Sequence, residues 1–359
     1  MLVLKSLKSL YLPIFLVWAG LVCYLSFPDP QGTDFFPVWT CSRAVLVGED
    51  PYSTSMTEKL SDTWDIVRKK RAQVAPVCAY PLPFYLITLP FGALPFAASL
   101  TLWFALSLAT PIVFILFRNT CTRLPWVPLL FYPLFHGALL KTSSVLWVGF
   151  FAGAIFLLLN KQLLWAALLA GIASAKPQIG AMLFLYSLVL FSRVEARTRT
   201  WPVIILFSPW IASWIYDPTW LKRWFVMLQS YEDKAVLFSF LSSTALIPLI
   251  ALSSYVFYKI SPFAAVAAVQ FLIFPINDLY SCLPIMLCWA FIKPPQFWLI
   301  LITTLIPLTY AEPNQLWAVR ISAFLPLLLA AIWQLMRSQV VENSNSYTRR
   351  SFHQRENGF

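Results

Sequence analysis

Residues 168–189 read LLAGIASAKPQIGAMLFLYSLV. Two apolar runs meet there at one Lys-Pro pair, and neither run alternates polar with apolar residues as a half-buried strand would. Both read as helices that are apolar all round. Pro177 breaks the chain between them, because it lacks an amide hydrogen and its ring clashes with the preceding turn. Each run is shorter than the roughly 20 residues a perpendicular helix needs to cross a bilayer. Short, broken helices are tolerated at that depth only where protein or a water-filled cavity covers the freed backbone groups. A lysine kept at such a break is costly and usually has a partner. The competing reading is a lysine that snorkels to the interface.

The rest of the 359-residue chain has the same texture, with 59% hydrophobic, 17% aromatic and only 11% charged residues. That is too little charge to coat a soluble globule, so the chain reads as a polytopic membrane protein. Long unalternated apolar runs exclude a barrel, which leaves an all-α bundle. Apolar segments at 10–27, 80–117, 124–140, 144–159, 162–175, 178–191, 201–216, 235–258, 262–276, 279–292, 297–310 and 316–336 predict about 12 transmembrane helices. The opening MLVLKSLKSLYLP lacks a small-x-small cleavage site and reads as a retained first helix. Residues 1–336 form one membrane-embedded domain with a first loop at 28–79, and 337–359 read as a disordered cytoplasmic tail.

The net charge of +11 is scattered over loops, so membrane topology explains it better than nucleic-acid binding. With Lys5 and Lys8 inside and one span per segment, Arg118, Arg123, Lys161, Arg193, Arg197, Arg199, Lys259 and Lys293 fall on inner loops. Most acids then fall outside. A rival scheme that divides 80–117 at its prolines and starts the N-terminus outside makes the basic cluster Arg68, Lys69, Lys70 and Arg71 cytoplasmic, and charge counting alone prefers it. The six cysteines show no CxxC spacing and read mainly as small buried hydrophobes. Cys41 and Cys78 share the first loop, where a disulfide is conceivable in an oxidising compartment.

In the first scheme Asp34, Lys176, Asp217, Arg223, Asp278 and Glu312 all lie at outer ends of spans. Asp34 follows the first span directly, and Gly48 to Ser53 (GEDPYS) form a turn beyond it in which Glu49 and Asp50 shape the loop. Asp29, between two prolines, reads as a solvated connector. Asp278 reads either as a site residue or as an Asn-Asp turn joining two helices. Trp201, Trp210, Trp214 and Trp220 read as an interfacial belt, and His136 as a core histidine. No GxGxxG, P-loop or GxSxG is present.

Taken in order, several motifs resemble the glycosyltransferase-C superfamily, and more narrowly family eighty-seven, the polyprenol-phosphate-mannose-dependent mannosyltransferases. They are Asp34-Phe35, Arg43-Ala44, Gly48-x-Asp50-Pro51-Tyr52, AYPLPFYLITLPFGALP at 79–95, the stretch at 168–189, and NDLYSCLPIML at 277–287. The resemblance covers most of residues 10–336 and rests on order and spacing. It implies an extracytoplasmic first loop with a catalytic aspartate after the first span, which is Asp34, and so favours the twelve-span scheme. Two departures stand out. Thr142, Ser143 and Ser144 replace a Gly-Gln pair common before the fourth span, and the histidine often found before the later aspartate is absent, leaving Asn277 and Asp278.

The function so implied is transfer of a hexose, mannose by family default, from a polyprenyl phosphate sugar to a lipid or glycan acceptor at the cell membrane, with inversion. Asp34 is expected as the general base and Lys176 as the phosphate partner, while Gln178, Asn277, Asp278, Tyr80 and Arg43 are expected to bind substrate. No metal and no cofactor are expected. The donor's lipid tail is expected between helices in a groove open to the bilayer. A secondary transporter would also keep charges on broken helices, but no inverted repeat is visible. A noncatalytic lipid-binding subunit is the other alternative.

Overall fold

The computed structural model of the chain describes residues 11–26, 34–68, 77–118, 129, 131–232, 246–273, 283–292 and 324–338. No strand occurs among them, and the fold is all-α. Asp29, Asn277, Asp278, Glu312, the apolar segment 297–310 and the tail beyond Ser338 lie outside the described residues.

Helix α1, Tyr11–Ser26, is followed by α2, Phe35–Leu46, and α3, Thr54–Arg68. Next come α4, Leu82–Ala93, and α5, Phe96–Ala109, which tightens into a 3-10 helix over Thr110–Arg118. A short α6, Tyr132–Leu139, leads into α7, Ser143–Leu159, α8, Leu163–Ser174, and α9, Pro177–Ser192. Helix α10, Ala196–Tyr216, and α11, Trp220–Glu232, complete the middle of the chain. The remaining helices are α12, Leu246–Ile260, α13, Pro262–Ile273, α14, Ile285–Phe291, and α15, Phe324–Ser338.

The apolar segment 80–117, expected as one run, is two helices. Leu94 is extended at φ −86° and ψ 155°, as a residue before proline is driven to be, and Pro95 starts α5. Helix α4 crosses its neighbours: Phe84 near its start stacks on Trp147 at 4.3 Å, and Phe91 near its end meets Trp103 edge-on at 5.0 Å. Trp103 and Trp147 lie only 6.2 Å apart, so both ends of α4 sit at one level of the bundle. Its main partner is α2, and the crossing is close because Gly92 has no side chain. A Cβ there would lie 2.7 Å from the amide nitrogen of Arg43. Helices α2, α3 and α11 fall in stretches read from sequence as loops.

Among the described residues one helix, Phe96–Phe114, has the 19 residues and the apolarity needed to cross a membrane, and eight more apolar helices have 10–17 residues. Their outer faces carry apolar residues too, with Val17, Trp165, Val189 and Trp333 all exposed. The four tryptophans of the expected belt divide. Trp201 and Trp214 are exposed, whereas Trp220 is fully buried in ring contact with Trp210 and Trp224. Trp210 is tied inward by an Nε1–H bond to Ser174 Oγ of 2.8 Å.

Cross-helix contacts give the directions. Trp147 Nε1 donates to the Ile172 carbonyl and Gly153 faces Leu169, so α7 and α8 are antiparallel. Thr110 sits against Gly149 and Trp103 Nε1 donates to the Lys141 carbonyl, so α5 runs with α7. Gly171 faces Leu206 while Trp210 meets Ser174, so α10 runs with α8. Tyr186 packs on Phe263 while Gln270 reaches Pro177, so α13 opposes α9. One end of the bundle therefore gathers the start of α7, the end of α8, the start of α9 and the ends of α10 and α13. The other end carries the turns with Lys161, Arg193, Arg197, Arg199 and Lys259.

Candidate functional site

The Lys176-Pro177 break lies where α8 ends and α9 begins. Pro177 occupies the first turn of α9, where its missing amide hydrogen costs nothing. Gly180 lets the new helix press on the old one, since a Cβ would lie 2.2 Å from the Ala173 carbonyl. Gln270, fully buried on α13, holds this turn from the side. Its Nε2 donates to the Pro177 carbonyl at 2.9 Å, and its Oε1 accepts the Met182 amide at 2.7 Å.

Lys176 points inward and is only 5% exposed. Its ammonium donates to Ser144 Oγ at 2.7 Å, Ser143 Oγ at 2.8 Å and Tyr80 Oη at 3.2 Å, and it lies 4.9 Å from the Tyr80 ring centroid. All three N–H donors are engaged, yet every acceptor is a neutral hydroxyl. No carboxylate among the described residues pairs with it. The two serines are part of the stretch that departs from the Gly-Gln pattern, so the departure supplies the lysine's own acceptors.

Proton accounting extends the picture. Ser143 donates to Tyr80 Oη at 2.9 Å while accepting from Lys176. Tyr80 Oη thus accepts twice and keeps its own proton uncommitted, as Ser144 does after accepting from Lys176. Gln178 Oε1, one helical position beyond Pro177, is buried without a hydrogen-bond partner among the described residues, and so is Thr142 Oγ1.

Asp34 enters the same end of the bundle by a different route. It precedes α2 and is half-buried, and its amide donates to the Leu140 carbonyl at 3.2 Å. Leu140 opens the turn that runs through Lys141, in the left-handed region at φ 57°, to Ser143 and Ser144. An aromatic column links the two charged residues: Tyr80 on Phe84 at 4.1 Å, Phe84 on Trp147, then Trp103, then Phe35 at 4.8 Å. Arg43 is not drawn in. It is exposed over the Trp39 ring at 5.5 Å, nine residues from Asp34 and about 13 Å along the helix.

Tyr80 is held by a clamp that sequence reasoning did not assemble. Its carbonyl accepts from Tyr52 Oη at 3.0 Å, its amide donates to Tyr85 Oη at 3.1 Å, and the preceding Ala79 carbonyl accepts from Trp224 Nε1 at 3.0 Å. One residue earlier, Cys78 is disulfide-bonded to Cys41 with Cα atoms 5.8 Å apart. Burial above all pushes the Tyr52 phenol well above its ordinary pKa, which keeps it a neutral donor. Asp50 bonds the Tyr52 amide at 3.0 Å and pairs with Arg223 at 2.6 Å, and Arg223 also pairs with Asp217. The signals available were the aromatic spacing of Tyr52, Tyr80 and Tyr85 and the amphipathic run at 220–232.

Comparison with protein-family models, with curated proteins and with solved structures gives no match.

Proposed function

We propose that this chain is a membrane glycosyltransferase of about twelve spans. In this reading it moves a hexose, mannose by family default, from a polyprenyl phosphate sugar to a lipid or glycan acceptor on the extracytoplasmic face. The observation that carries the reading is the buried Lys176 cation, which has hydroxyl partners and, among the described residues, no carboxylate. A buried charge without a counter-charge is costly, and an anionic group on the substrate removes that cost. Asp34, at the same end of the bundle, accepts the proton of the acceptor hydroxyl as its oxygen attacks the anomeric carbon. The bond from that carbon to the phosphate oxygen breaks, and the polyprenyl phosphate leaves with the electron pair beside Lys176. Attack from the face opposite the leaving group inverts the centre.

Three further features support the membrane and sidedness parts of the reading. The helices are apolar on faces that no other described helix covers. The exposed Lys161, Arg193, Arg197, Arg199 and Lys259 lie at the end remote from Asp34, while exposed Arg43, Lys59 and Lys222 lie on the Asp34 side. The Cys41–Cys78 bridge fits a loop that meets an oxidising compartment.

The test is to incubate the purified chain with a panel of polyprenyl phosphate sugars and membrane lipid extract, and to identify glycosylated product by mass spectrometry. Product that requires both Asp34 and Lys176 is the expected result. Tight binding of lipid phosphate with no transfer from any donor would replace the enzyme by a lipid-binding subunit. Sidedness is read separately with single cysteines at Lys59 and Lys161, keeping the Cys41–Cys78 pair. A Lys59 probe that reacts only after the inner face is opened overturns the topology.

A further inference from the structure

Helix α13 is apolar along most of its length, and Gln270 on it is the one fully buried carboxamide among the described residues. A carboxamide taken out of water is costly unless both of its ends are paired. Here both are, and both partners are backbone groups at the start of α9: Nε2 donates to the Pro177 carbonyl at 2.9 Å, and Oε1 accepts the Met182 amide at 2.7 Å. A carbonyl can only accept and an amide N–H can only donate, so these partners fix which way the carboxamide points. In a regular helix the Met182 amide bonds the carbonyl four residues back, at Gln178. A side chain from another helix therefore reaches into the ladder of α9 at its opening.

The place it grips is the root of the Lys176 side chain. Lys176 precedes α9 in an extended conformation, φ −113° and ψ 90°, and its carbonyl accepts the amides of Ile179 and Gly180 at 2.9 and 3.0 Å. Its ammonium is held elsewhere, by Ser143, Ser144 and Tyr80. A lysine stem is among the costliest side chains to order, so a fixed root makes it easier for three hydroxyls to hold the tip. Phe263 and Gln270 lie seven residues apart on one face of α13. Phe263 meets Tyr186 edge-on at 5.5 Å while Gln270 takes Pro177 and Met182, so α9 is located along α13 at two points. The apolar contact is non-directional, whereas the two hydrogen bonds set the register.

We propose that Gln270 is a positioning residue: by fixing the turn from Pro177 to Met182 it aims the Lys176 ammonium into the site, without itself touching substrate. Its kinetic consequence rests on the transferase reading, whereas the aim of the lysine rests on these contacts alone.

The experiment follows one thiol at a time in the purified full chain, with the Cys41–Cys78 pair kept and the other cysteines replaced. Lys176→Cys reports the turn, and Ser174→Cys, at the buried end of α8, reports its surroundings. Gln270→Met keeps the length of the side chain and removes both hydrogen bonds. It should speed labelling of the Lys176→Cys thiol by a charged methanethiosulfonate roughly tenfold, the scale of a local opening relieved of about one net hydrogen bond. The Ser174→Cys thiol should stay as slow as before. With Lys176 intact, Gln270→Met should raise KM for the polyprenyl phosphate sugar about tenfold and leave the acceptor KM unchanged. A merely structural role would open both thiols or weaken both substrates alike. Unchanged labelling at Lys176→Cys, or equal opening at both positions, overturns the proposal, as does an unchanged donor KM in a chain that turns over. If the Lys176→Cys thiol alone opens and the intact chain transfers sugar from no donor, the positioning role stands and the transferase reading falls. Should Gln270→Met fail to fold, Gln270→Asn, polar but one methylene too short to reach both groups, carries the same readouts.

Discussion

Lys161 and Lys176 each sit in a turn between apolar helices, at opposite ends of α8. Lys161 adopts the left-handed conformation at φ 58°, is exposed, and its backbone does no more than close the turn. Lys176 is buried and spends every donor on side chains 32, 33 and 96 residues away in sequence. The contrast extends to the two ends of the bundle. Lys161, Arg193 and Lys259 are exposed. At the Lys176 end, Lys176, Asp50, Arg223 and Asp217 are tied to named partners, and the loop beside them is cross-linked by Cys41–Cys78. Identical residue types therefore do different work according to whether water or protein satisfies them.

The sharpest way to break the comparison is at Asp34. Asp34→Asn keeps the shape and removes the proton acceptor, so transfer should fall by about 10²–10⁴-fold with an unchanged melting curve. Retained activity would move the base elsewhere. Next in size is Lys176→Ala, expected to cost one to two decades in donor affinity or rate, from loss of a charge-assisted interaction of roughly 1.5–3 kcal/mol. Lys161→Ala should leave the same kinetics untouched. Equal effects from the two lysines would erase the distinction between the ends. Lys176→Arg should rescue part of the loss, limited by the different reach of the guanidinium.

The clamp should show itself in stability before rate. Paired Cys41→Ser and Cys78→Ser removes a bridge closing a 37-residue separation and should cost about 2–4 kcal/mol, read as a lower melting temperature. A smaller fall in transfer should accompany it as Tyr80 loosens, and a variant that melts and turns over like wild type would show that the bridge holds nothing. The smallest effect is expected at Asp50. Its pair with Arg223 has side chains 30% and 38% exposed and sits beside a second acid, Asp217, so Asp50→Asn should cost under about 1 kcal/mol. A dead but folded Asp50→Asn beside an active Asp34→Asn would exchange their roles.

Much of the fold was legible, because apolar runs and prolines state where helices lie. The Lys176-Pro177 break could be read in outline, since a lysine kept at such a break usually has a partner. Its partners could not, because Ser143 and Ser144 are ordinary residues until α7 and α8 are seen to be antiparallel. The division at Leu94 and Pro95 follows the proline rule and belonged to the rival scheme that split 80–117 at its prolines, whereas the favoured twelve-span scheme kept that stretch as one run. Trp220 was misread because tryptophan is common at interfaces, and only the packing of Trp210 and Trp224 around it makes it core. Arg43 illustrates the opposite limit: its place in a motif says nothing of where α2 turns it.

The clamp on Tyr80 also imposes an order in time. Ala79 waits for Trp224, made 145 residues later, and the Tyr80 hydroxyl waits for Lys176, made 96 residues later. At a synthesis rate of about 5–20 residues per second, roughly 7–30 seconds pass between the emergence of Ala79 and that of Trp224. The disulfide partners, 37 residues apart, emerge within roughly 2–7 seconds of each other at the same rate. A nascent chain can thus close the covalent loop early and carry it as an unfinished cradle, which is complete only when α11 arrives to seat it.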